Sequence, residues 1–166
     1  MKFVHLFLLA LLPALAACAG PASTATPTAS EPTYFVMRHL HTPQGERDPD
    51  LLAEGQAAAQ RPVQMLERER PAIIYVSTFK RTQQTAAAVA ARYGLTPIVY
   101  DPADTAGLIA RVRAGPFPVL IVGHSNTVPD IVEQLGGPRP APLSHPDFGD
   151  LWRIGADGTT VKQRVP

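Results

Sequence analysis

Short apolar runs alternate along the chain with longer segments in which apolar residues recur at helical spacing. The runs predict strands at 34–37, 71–76, 96–100 and 118–123, and the longer segments predict helices at 51–67, 79–93, 105–114 and 127–135. Two more short runs, at 151–154 and 159–162, predict a terminal hairpin. Strands that alternate with helices indicate an α/β fold. We expect a three-layer αβα sandwich whose central sheet is mostly parallel, with an antiparallel C-terminal strand or hairpin.

Residues with strong positional preferences mark several of these boundaries. Asp50 is expected to cap the first predicted helix, and Pro62 to kink or restart it. Gly94 is expected to close the second helix and Asp104 to cap the third. The proline-rich segment 138–146 is expected to extend over the top of the sheet.

The first residues show a pattern typical of export. Lys2 is followed by an apolar run at 3–12 that is too short to span a bilayer comfortably, which predicts a signal peptide at 1–17. Small residues precede Cys18, the only cysteine in the chain, and this setting resembles a bacterial lipobox with lipid attached to Cys18. A plain secretory signal beside an unrelated cysteine is the alternative.

The lipobox resemblance implies a cell-envelope protein that is held at the membrane by the lipid on Cys18. Ala19 follows the cysteine where an aspartate often marks retention in the inner membrane. The outer membrane facing the periplasm is therefore expected if the cell is Gram-negative. Residues 18–32 form a lipidated cysteine and a flexible tether, because Ala, Ser, Thr and Pro cannot bury enough surface to fold. The folded domain is expected at 33–166.

Length and charge limit the classes of partner. A chain of 166 residues that is 45% hydrophobic can bury one ordinary core, so we expect a single domain and a monomer. Lys and Arg number 15 against 14 Asp and Glu. This balance gives no indication of nucleic-acid binding, and any positive field must come from particular arginines in a cleft.

Arginines and histidines follow the predicted strands at the point where each strand ends. Arg38 and His39 come directly after the first strand, Arg81 opens the helix after the second, and His124 follows the fourth. Ligands of open α/β sheets bind at the carboxyl ends of the strands. Two guanidinium groups and two imidazoles there form an anion site suited to phosphate. A neutral imidazole in that site is also a competent nucleophile.

Three other interpretations of these histidines remain open. In the first interpretation, the rings of His39 and His124 form hydrogen bonds with backbone groups near strand ends and have no chemical role. In the second, His39, His41 and His124 hold a metal ion. In the third, the chain is a non-catalytic lipoprotein that binds a phosphorylated ligand. The matched arginines favour catalysis over the first interpretation, and Arg38 argues against a cation in the second. A non-catalytic binder would keep both arginines but lose a histidine, and this chain keeps all four residues.

Three ordered motifs resemble those of the histidine phosphatase superfamily, also called phosphoglycerate-mutase-like. Arg38-His39 resembles the family's first motif, the segment 77–86 (STFKRTQQTA) its second, and Gly123-His124 its third. The likeness extends over nearly all of residues 33–154. It implies a histidine phosphatase-like domain at 33–166.

The resemblance implies a metal-independent phosphatase without a cofactor that hydrolyses phosphate esters or phosphoanhydrides through a phosphohistidine intermediate. His39 would be the nucleophile, while Arg38, Arg81 and His124 would hold the phosphate oxygens. Further hydrogen bonds are expected from Thr42 and from Ser125 or Asn126.

The sequence departs from the family pattern at two places. Leu40 stands where the family has glycine, and this larger side chain must point away from the phosphate or narrow the pocket. No carboxylate directly follows His124, and Asp101 and Asp104 are the only carboxylates between Tyr100 and Ala114, so one of them or a water would have to act as the general acid. Capping a helix is the more ordinary role of Asp104. Without an acid, phosphohistidine, acyl phosphates and pyrophosphate become the better substrates. The short segment before His124 predicts an open site, which favours a phosphatase over a mutase.

Overall fold

The computed structural model describes residues 31–165. The predicted signal peptide, Cys18 and the predicted tether up to residue 30 lie outside these residues. Within the described range, none of the helices has the length and apolar character needed to cross a membrane.

Strands and helices alternate through most of this range. The elements are β1 (Thr33–Arg38), α1 (Ala53–Ala58), α2 (Arg61–Met65), β2 (Ile73–Ser77), α3 (Lys80–Tyr93), β3 (Ile98–Tyr100), α4 (Thr105–Arg113), β4 (Val119–Gly123), α5 (Val128–Gln134), β5 (Asp150–Gly155) and β6 (Thr160–Arg164).

The strands form one sheet in the order β3-β2-β4-β1-β5-β6. The first four strands are parallel where they pair, and β5 and β6 add an antiparallel hairpin beside β1. β1 and β4 are neighbours, and their register pairs Arg38 with Gly123. The chain therefore leaves both strands at the same edge of the sheet, which brings His39 next to His124.

Two apolar cores cover the two faces of the sheet, because successive strand residues point to opposite sides. Tyr34 and Val36 of β1 pack in the core that contains α4 and α5. Phe35 and Met37 pack in the other core, which contains residues of α1–α3 and their connections. The expected α/β fold, with its mostly parallel sheet and C-terminal hairpin between helical layers, is confirmed.

The first predicted helix restarts at Pro62, one of the two predicted outcomes, whereas its predicted cap is wrong. It is divided into α1 and α2, and Pro62 lies in the first turn of α2, where its missing N–H costs no helical hydrogen bond. Asp50 does not cap α1, because Leu52 occupies that position. The Asp50 carboxylate instead accepts a hydrogen bond from Gln84 Nε2 at 2.7 Å and pairs with Lys80 of α3.

Two other predicted helix ends are confirmed. Gly94 ends α3 with a φ of 65°, a left-handed conformation that glycine adopts without strain. Asp104 caps α4 by accepting a hydrogen bond from the Gly107 N–H at 2.9 Å.

Candidate active site

The two histidines at the ends of β1 and β4 lie against each other. Their ring centroids are 5.4 Å apart, and the backbone N–H of His39 donates to the backbone carbonyl of Gly123 at 3.0 Å. Each side chain is buried, with 5% of the residue exposed. The parallel pairing of the two strands is the direct cause of this contact.

Local hydrogen bonding fixes the orientation of the His39 ring. Nδ1 lies 2.9 Å from the Leu40 carbonyl oxygen, which can only accept, so Nδ1 carries the proton. Nε2 has no hydrogen-bond partner among the described residues. The pKa of His39 is lowered to about 3, chiefly by burial; the hydrogen bond to the Leu40 carbonyl opposes this shift, and the neighbouring His124, Arg38 and Arg81 contribute to it. At neutral pH, Nε2 therefore presents an unprotonated lone pair.

His124 is held from the side of β2. Its Nε2 lies 2.8 Å from Ser77 Oγ, which lies 3.0 Å from Thr82 Oγ1. Its Nδ1 is buried without a partner in the described part of the chain. Burial lowers the pKa of His124 to about 4, Arg81 and Arg38 lower it also, and Asp48 opposes them. A neutral ring that accepts from Ser77 carries its proton on Nδ1, where it can donate to an anion.

Arg38 is enclosed by the loop that precedes β5. Its Nη1 donates to the carbonyl oxygens of Ser144, His145 and Asp147. Its Nε is buried without a partner among residues 31–165. A buried donor left unpaired costs about 1–3 kcal/mol, so it marks a place where a ligand or water is expected. The proline-rich segment thus reaches over the sheet as predicted, and it does so by binding Arg38.

Phe148 lies at the centre of this enclosure. The Arg38 guanidinium stacks 4.1 Å from its ring centroid, and the rings of His39, His41 and His145 lie 4.7–5.8 Å from it. The contact of Phe148 with Arg38 was not predictable, because it comes from an irregular segment without a motif.

Arg81 supplies the second guanidinium from the first turn of α3. Its Nη1 donates to the Arg47 carbonyl at 3.1 Å and lies 3.7 Å from Asp48 Oδ1. It also stacks 4.2 Å from the centroid of Phe79. Burial lowers the pKa of Arg81, while the charge of Asp48 raises it. The sequence did not indicate Asp48, because its loop carries no pattern that places it on α3.

The leucine that replaces the expected glycine does not narrow the pocket. Leu40 has no exposed surface and packs in the core on the α3 side of the sheet. Its N–H donates to Thr85 Oγ1 at 3.0 Å. The Leu40 side chain therefore points away from the site and packs in the apolar core.

A glycine in α1 supports the loop that follows His39. The His41 carbonyl accepts from the Leu52 N–H at 2.9 Å. A Cβ placed on Gly55 would lie 2.6 Å from the same oxygen, closer than real Cβ atoms come. Only glycine allows α1 to approach the loop so closely.

The remaining predicted site residues differ in their burial and in their contacts. Thr42 is buried, with 5% exposed, in the loop after His39. Ser125 is half-buried, and it is the neighbouring Asn126 that lines the cleft beside His124. Asp104 is exposed, and its carboxylate is engaged in capping α4. The structure thus gathers Arg38, His39, Arg81 and His124, while Asp104 stands outside this group.

A cleft of about 350 Å³ opens beside His124. Its lining residues are Phe79, Arg81, Pro102, Ala103, His124 and Asn126. This volume is typical of a small-molecule site. Within residues 31–165, no three or more His, Cys, Asp or Glu side chains are arranged to hold a metal ion. His39, His41 and His124 therefore form no metal centre in this arrangement.

Comparison with known proteins agrees with this geometry. The model of the histidine phosphatase superfamily (branch 1) matches residues 35–103, which include Arg38, His39 and Arg81. No curated protein matches the chain. The family match supports a phosphatase.

Several solved structures are similar to the chain. The protein histidine phosphatase SixA complexed with tungstate is 20% identical, with a TM-score of 0.60 over 79% of this chain and 94% of that chain. A SixA protein from Nakamurella multipartitia is 25% identical, with a TM-score of 0.55 over 83% and 96%. A mycobacterial glucosyl-3-phosphoglycerate phosphatase with inorganic phosphate is 15% identical, with a TM-score of 0.59 over 81% and 95%. The chain has an α/β fold like that of SixA.

Proposed function

We propose that this chain is a member of the histidine phosphatase superfamily and a metal-independent phosphatase that hydrolyses phosphate esters or phosphoanhydrides through a phosphohistidine intermediate. The observation that carries the proposal is the state of the His39 ring. Nδ1 is bound to the Leu40 carbonyl, Nε2 is free, and the pKa is about 3, so the nucleophilic nitrogen is unprotonated at neutral pH. The family match over residues 35–103 supports it.

In the first step, His39 Nε2 attacks phosphorus in line with the leaving group. The bond from phosphorus to the leaving group breaks, and its electron pair departs with that group. Arg38, Arg81 and the Nδ1 of His124 stabilise the charge on the equatorial oxygens. The ring of phosphorylated His39 gains positive charge, and the Leu40 carbonyl stabilises that charge by accepting from Nδ1.

In the second step, water attacks the phosphohistidine. The bond from Nε2 to phosphorus breaks, inorganic phosphate leaves, and the neutral ring of His39 is restored. The net reaction consumes one water for each phosphate released. The two guanidinium groups provide fixed positive charge in both steps, and this chemistry needs no metal.

Substrates with a good leaving group fit the site best. Asp104 is engaged in capping α4, and among the described residues that line the cleft there is no Asp or Glu. A general acid is therefore not in place for an alcohol leaving group. Phosphohistidine, acyl phosphates and pyrophosphate leave without one, and one similar structure is named a protein histidine phosphatase.

The proposal is tested by incubating the purified protein with a panel of phosphorylated compounds beside His39→Ala. We expect that variant to lose turnover by roughly a thousandfold or more, because the nucleophile is absent. Gln64→Ala is the control, since Gln64 is an exposed residue of α2 away from the site and its replacement should leave turnover unchanged. Binding of inorganic phosphate without turnover by the unaltered protein would instead indicate a non-catalytic binder. Turnover that survives in His39→Ala or follows added zinc would contradict the mechanism.

We further propose that lipid on Cys18 holds the protein in the cell envelope. The small residues before Cys18 support this, and several acyl chains anchor firmly where one does not. β1 begins at Thr33, so the chain enters the domain at the end of the sheet opposite His39. Cys18→Ser should move the protein from the membrane to the soluble fraction with kcat/KM unchanged. Tight membrane association of that variant would contradict the anchor.

A further inference from the structure

A carboxylate closes the turn that encloses Arg38. Asp147 Oδ2 accepts hydrogen bonds from the Ser144 N–H at 2.7 Å and from the Ser144 hydroxyl at 2.6 Å. In return, the Asp147 N–H donates to the Ser144 carbonyl at 3.1 Å. Residues 144–147 lie outside the described helices and strands, so neither a helix nor a sheet ladder sets their conformation. The side chain of Asp147 therefore has a large part in holding this turn together.

The turn presents three carbonyl oxygens to a single nitrogen atom. Arg38 Nη1 donates to all three, which belong to Ser144, to His145 at 3.3 Å and to Asp147 at 3.2 Å. An Nη atom carries two protons, so the three acceptors share two donors and depend on one arrangement of the backbone. A change in the turn would alter all three hydrogen bonds at once and release the guanidinium.

The Asp147 side chain lies apart from the phosphate site. It does not line the cleft beside His124 but a separate cleft of about 260 Å³, which it shares with Trp152 and Lys162. A carboxylate placed against the phosphate would also repel it. Any effect of Asp147 on phosphoryl transfer must therefore pass through the turn and Arg38.

Asp147 affects Arg38 through its charge and through the geometry of the turn. Hydrogen bonds from the Ser144 hydroxyl and N–H lower the pKa of Asp147, so its carboxyl group is ionised at neutral pH. Burial lowers the pKa of Arg38, and the charge of Asp147 opposes that shift. An arginine stays protonated at neutral pH in either case, so the charge is not needed to keep Arg38 cationic. The geometry of the turn is the contribution that matters for the site.

We propose, building on the proposed function, that Asp147 is a positioning residue that acts through Arg38. Its hydrogen bonds to Ser144 hold the turn in the form that binds Nη1, and the guanidinium held in this way presents its unpaired Nε to a phosphate oxygen. Loss of these hydrogen bonds leaves Arg38 charged but no longer fixed, so it stabilises the charge on the equatorial oxygens less well. Asp147 contacts neither the phosphoryl group nor the leaving group in this role.

The test compares two substitutions of Asp147 with a matched control in another turn. Asp147→Ala removes the acceptor and should lower kcat/KM for acetyl phosphate by roughly tenfold, whereas Asp147→Asn keeps an acceptor oxygen and should lose less than about threefold. Asp157 accepts from the Thr159 N–H at 2.9 Å and from the Thr159 hydroxyl at 2.7 Å, in the turn between β5 and β6. Asp157→Ala loses the same kind of contacts at the end of β1 opposite His39 and should retain turnover.

A double-mutant cycle with Arg38 decides whether the effect passes through the guanidinium. In the background of Arg38→Ala, the further change Asp147→Ala should lower kcat/KM by less than about twofold, because the group through which Asp147 acts is already absent. A full additional loss would overturn the proposal. Equal losses in Asp147→Ala and Asp157→Ala, or in Asp147→Ala and Asp147→Asn, would overturn it also.

Two further measurements separate this role from folding and from the proposed function. Urea unfolding shows whether each variant is folded under the assay conditions. If Asp147→Ala is not, Ser144→Ala removes one of the two donors and should lower kcat/KM by about threefold, and undiminished turnover in it would overturn the role. Absence of acetyl phosphate hydrolysis in the unaltered protein would overturn the proposed function itself. The affinity for inorganic phosphate, measured by calorimetry, then tests Asp147 separately, and equal affinity in Asp147→Ala and the unaltered protein would contradict its role.

Discussion

At the scale of single residues, the candidate site depends on how each ring nitrogen is engaged. His39 binds a carbonyl through one nitrogen and leaves the other free, whereas His124 binds the Ser77 hydroxyl and leaves Nδ1 buried and unpaired. A phosphate oxygen requires a donor at Nδ1 of His124. The His124 tautomer that carries its proton on Nδ1 is present when Nε2 accepts a hydrogen bond from the Ser77 hydroxyl. Ser77 is therefore a positioning residue for His124.

Replacement of Ser77 tests this positioning role. Ser77→Ala should weaken binding of inorganic phosphate by roughly tenfold, since the proton of His124 is no longer directed to Nδ1. The pH profile of kcat/KM should also shift, which a purely structural role would not cause. Thr78→Ala removes an exposed hydroxyl next to it and should bind phosphate normally. Equal phosphate affinity in Ser77→Ala and the unaltered protein, measured by calorimetry, would contradict the role.

Sequence alone could predict four of these residues and not their supports. Arg38 ends β1, and Arg81 lies in the first turn of α3 after β2. His39 and His124 directly follow β1 and β4, so the topology fixes where the four residues meet. Phe148 and Asp48 reach the site from irregular loops, and no periodic pattern determines where such loops fold. The tautomers were also beyond prediction, because they depend on single contacts with a carbonyl and a hydroxyl.

At the scale of elements, helix ends decide which polar side chains are available for chemistry. The Asp104 carboxylate caps α4 and is engaged there. The Asp50 carboxylate accepts a hydrogen bond from Gln84 of α3 and does not cap α1. The sequence predicted the existence of nearly every element. It predicted a kink or a restart at Pro62 and could not decide between them, because apolar spacing continues through the break; the structure shows the restart.

Two substitutions separate capping from catalysis at Asp104. Asp104→Asn keeps a side-chain acceptor for the Gly107 N–H, so stability and turnover should both be retained. Asp104→Ala loses the cap and should lower the free energy of unfolding by about 1 kcal/mol, again with turnover retained. Urea unfolding and initial rates measure the two effects. A large loss of turnover in stable Asp104→Asn would show that the carboxyl group donates a proton after all.

At the scale of the whole molecule, the free energy of unfolding depends on pH, because the site buries two histidines in their uncharged form. In the folded protein the pKa of His39 is about 3 and that of His124 about 4, compared with about 6.5 in an unfolded chain. Between these values the unfolded chain binds more protons than the folded protein. The free energy of unfolding therefore falls as the pH falls below about 6.5.

The expected size of this effect is about 1.4 kcal/mol per histidine for each pH unit below 6.5, or about 2 kcal/mol each at pH 5. His39→Gln should show a shallower loss of stability between pH 7 and pH 5, because one of the two groups is gone. Gln64→Ala changes an exposed side chain that carries no titratable group and should follow the unaltered protein. Identical pH slopes for all three proteins in urea titrations would contradict the burial of a neutral His39.

The most direct measurement of the central claim is the chemical identity of the intermediate. The protein is mixed briefly with acetyl phosphate labelled at phosphorus, quenched in alkali and digested. We predict a label that is stable to base, labile to acid and located on the peptide that contains His39, and absent from His39→Ala. A label on another residue, or full turnover with no phosphorylated His39 at any quench time, would contradict the account.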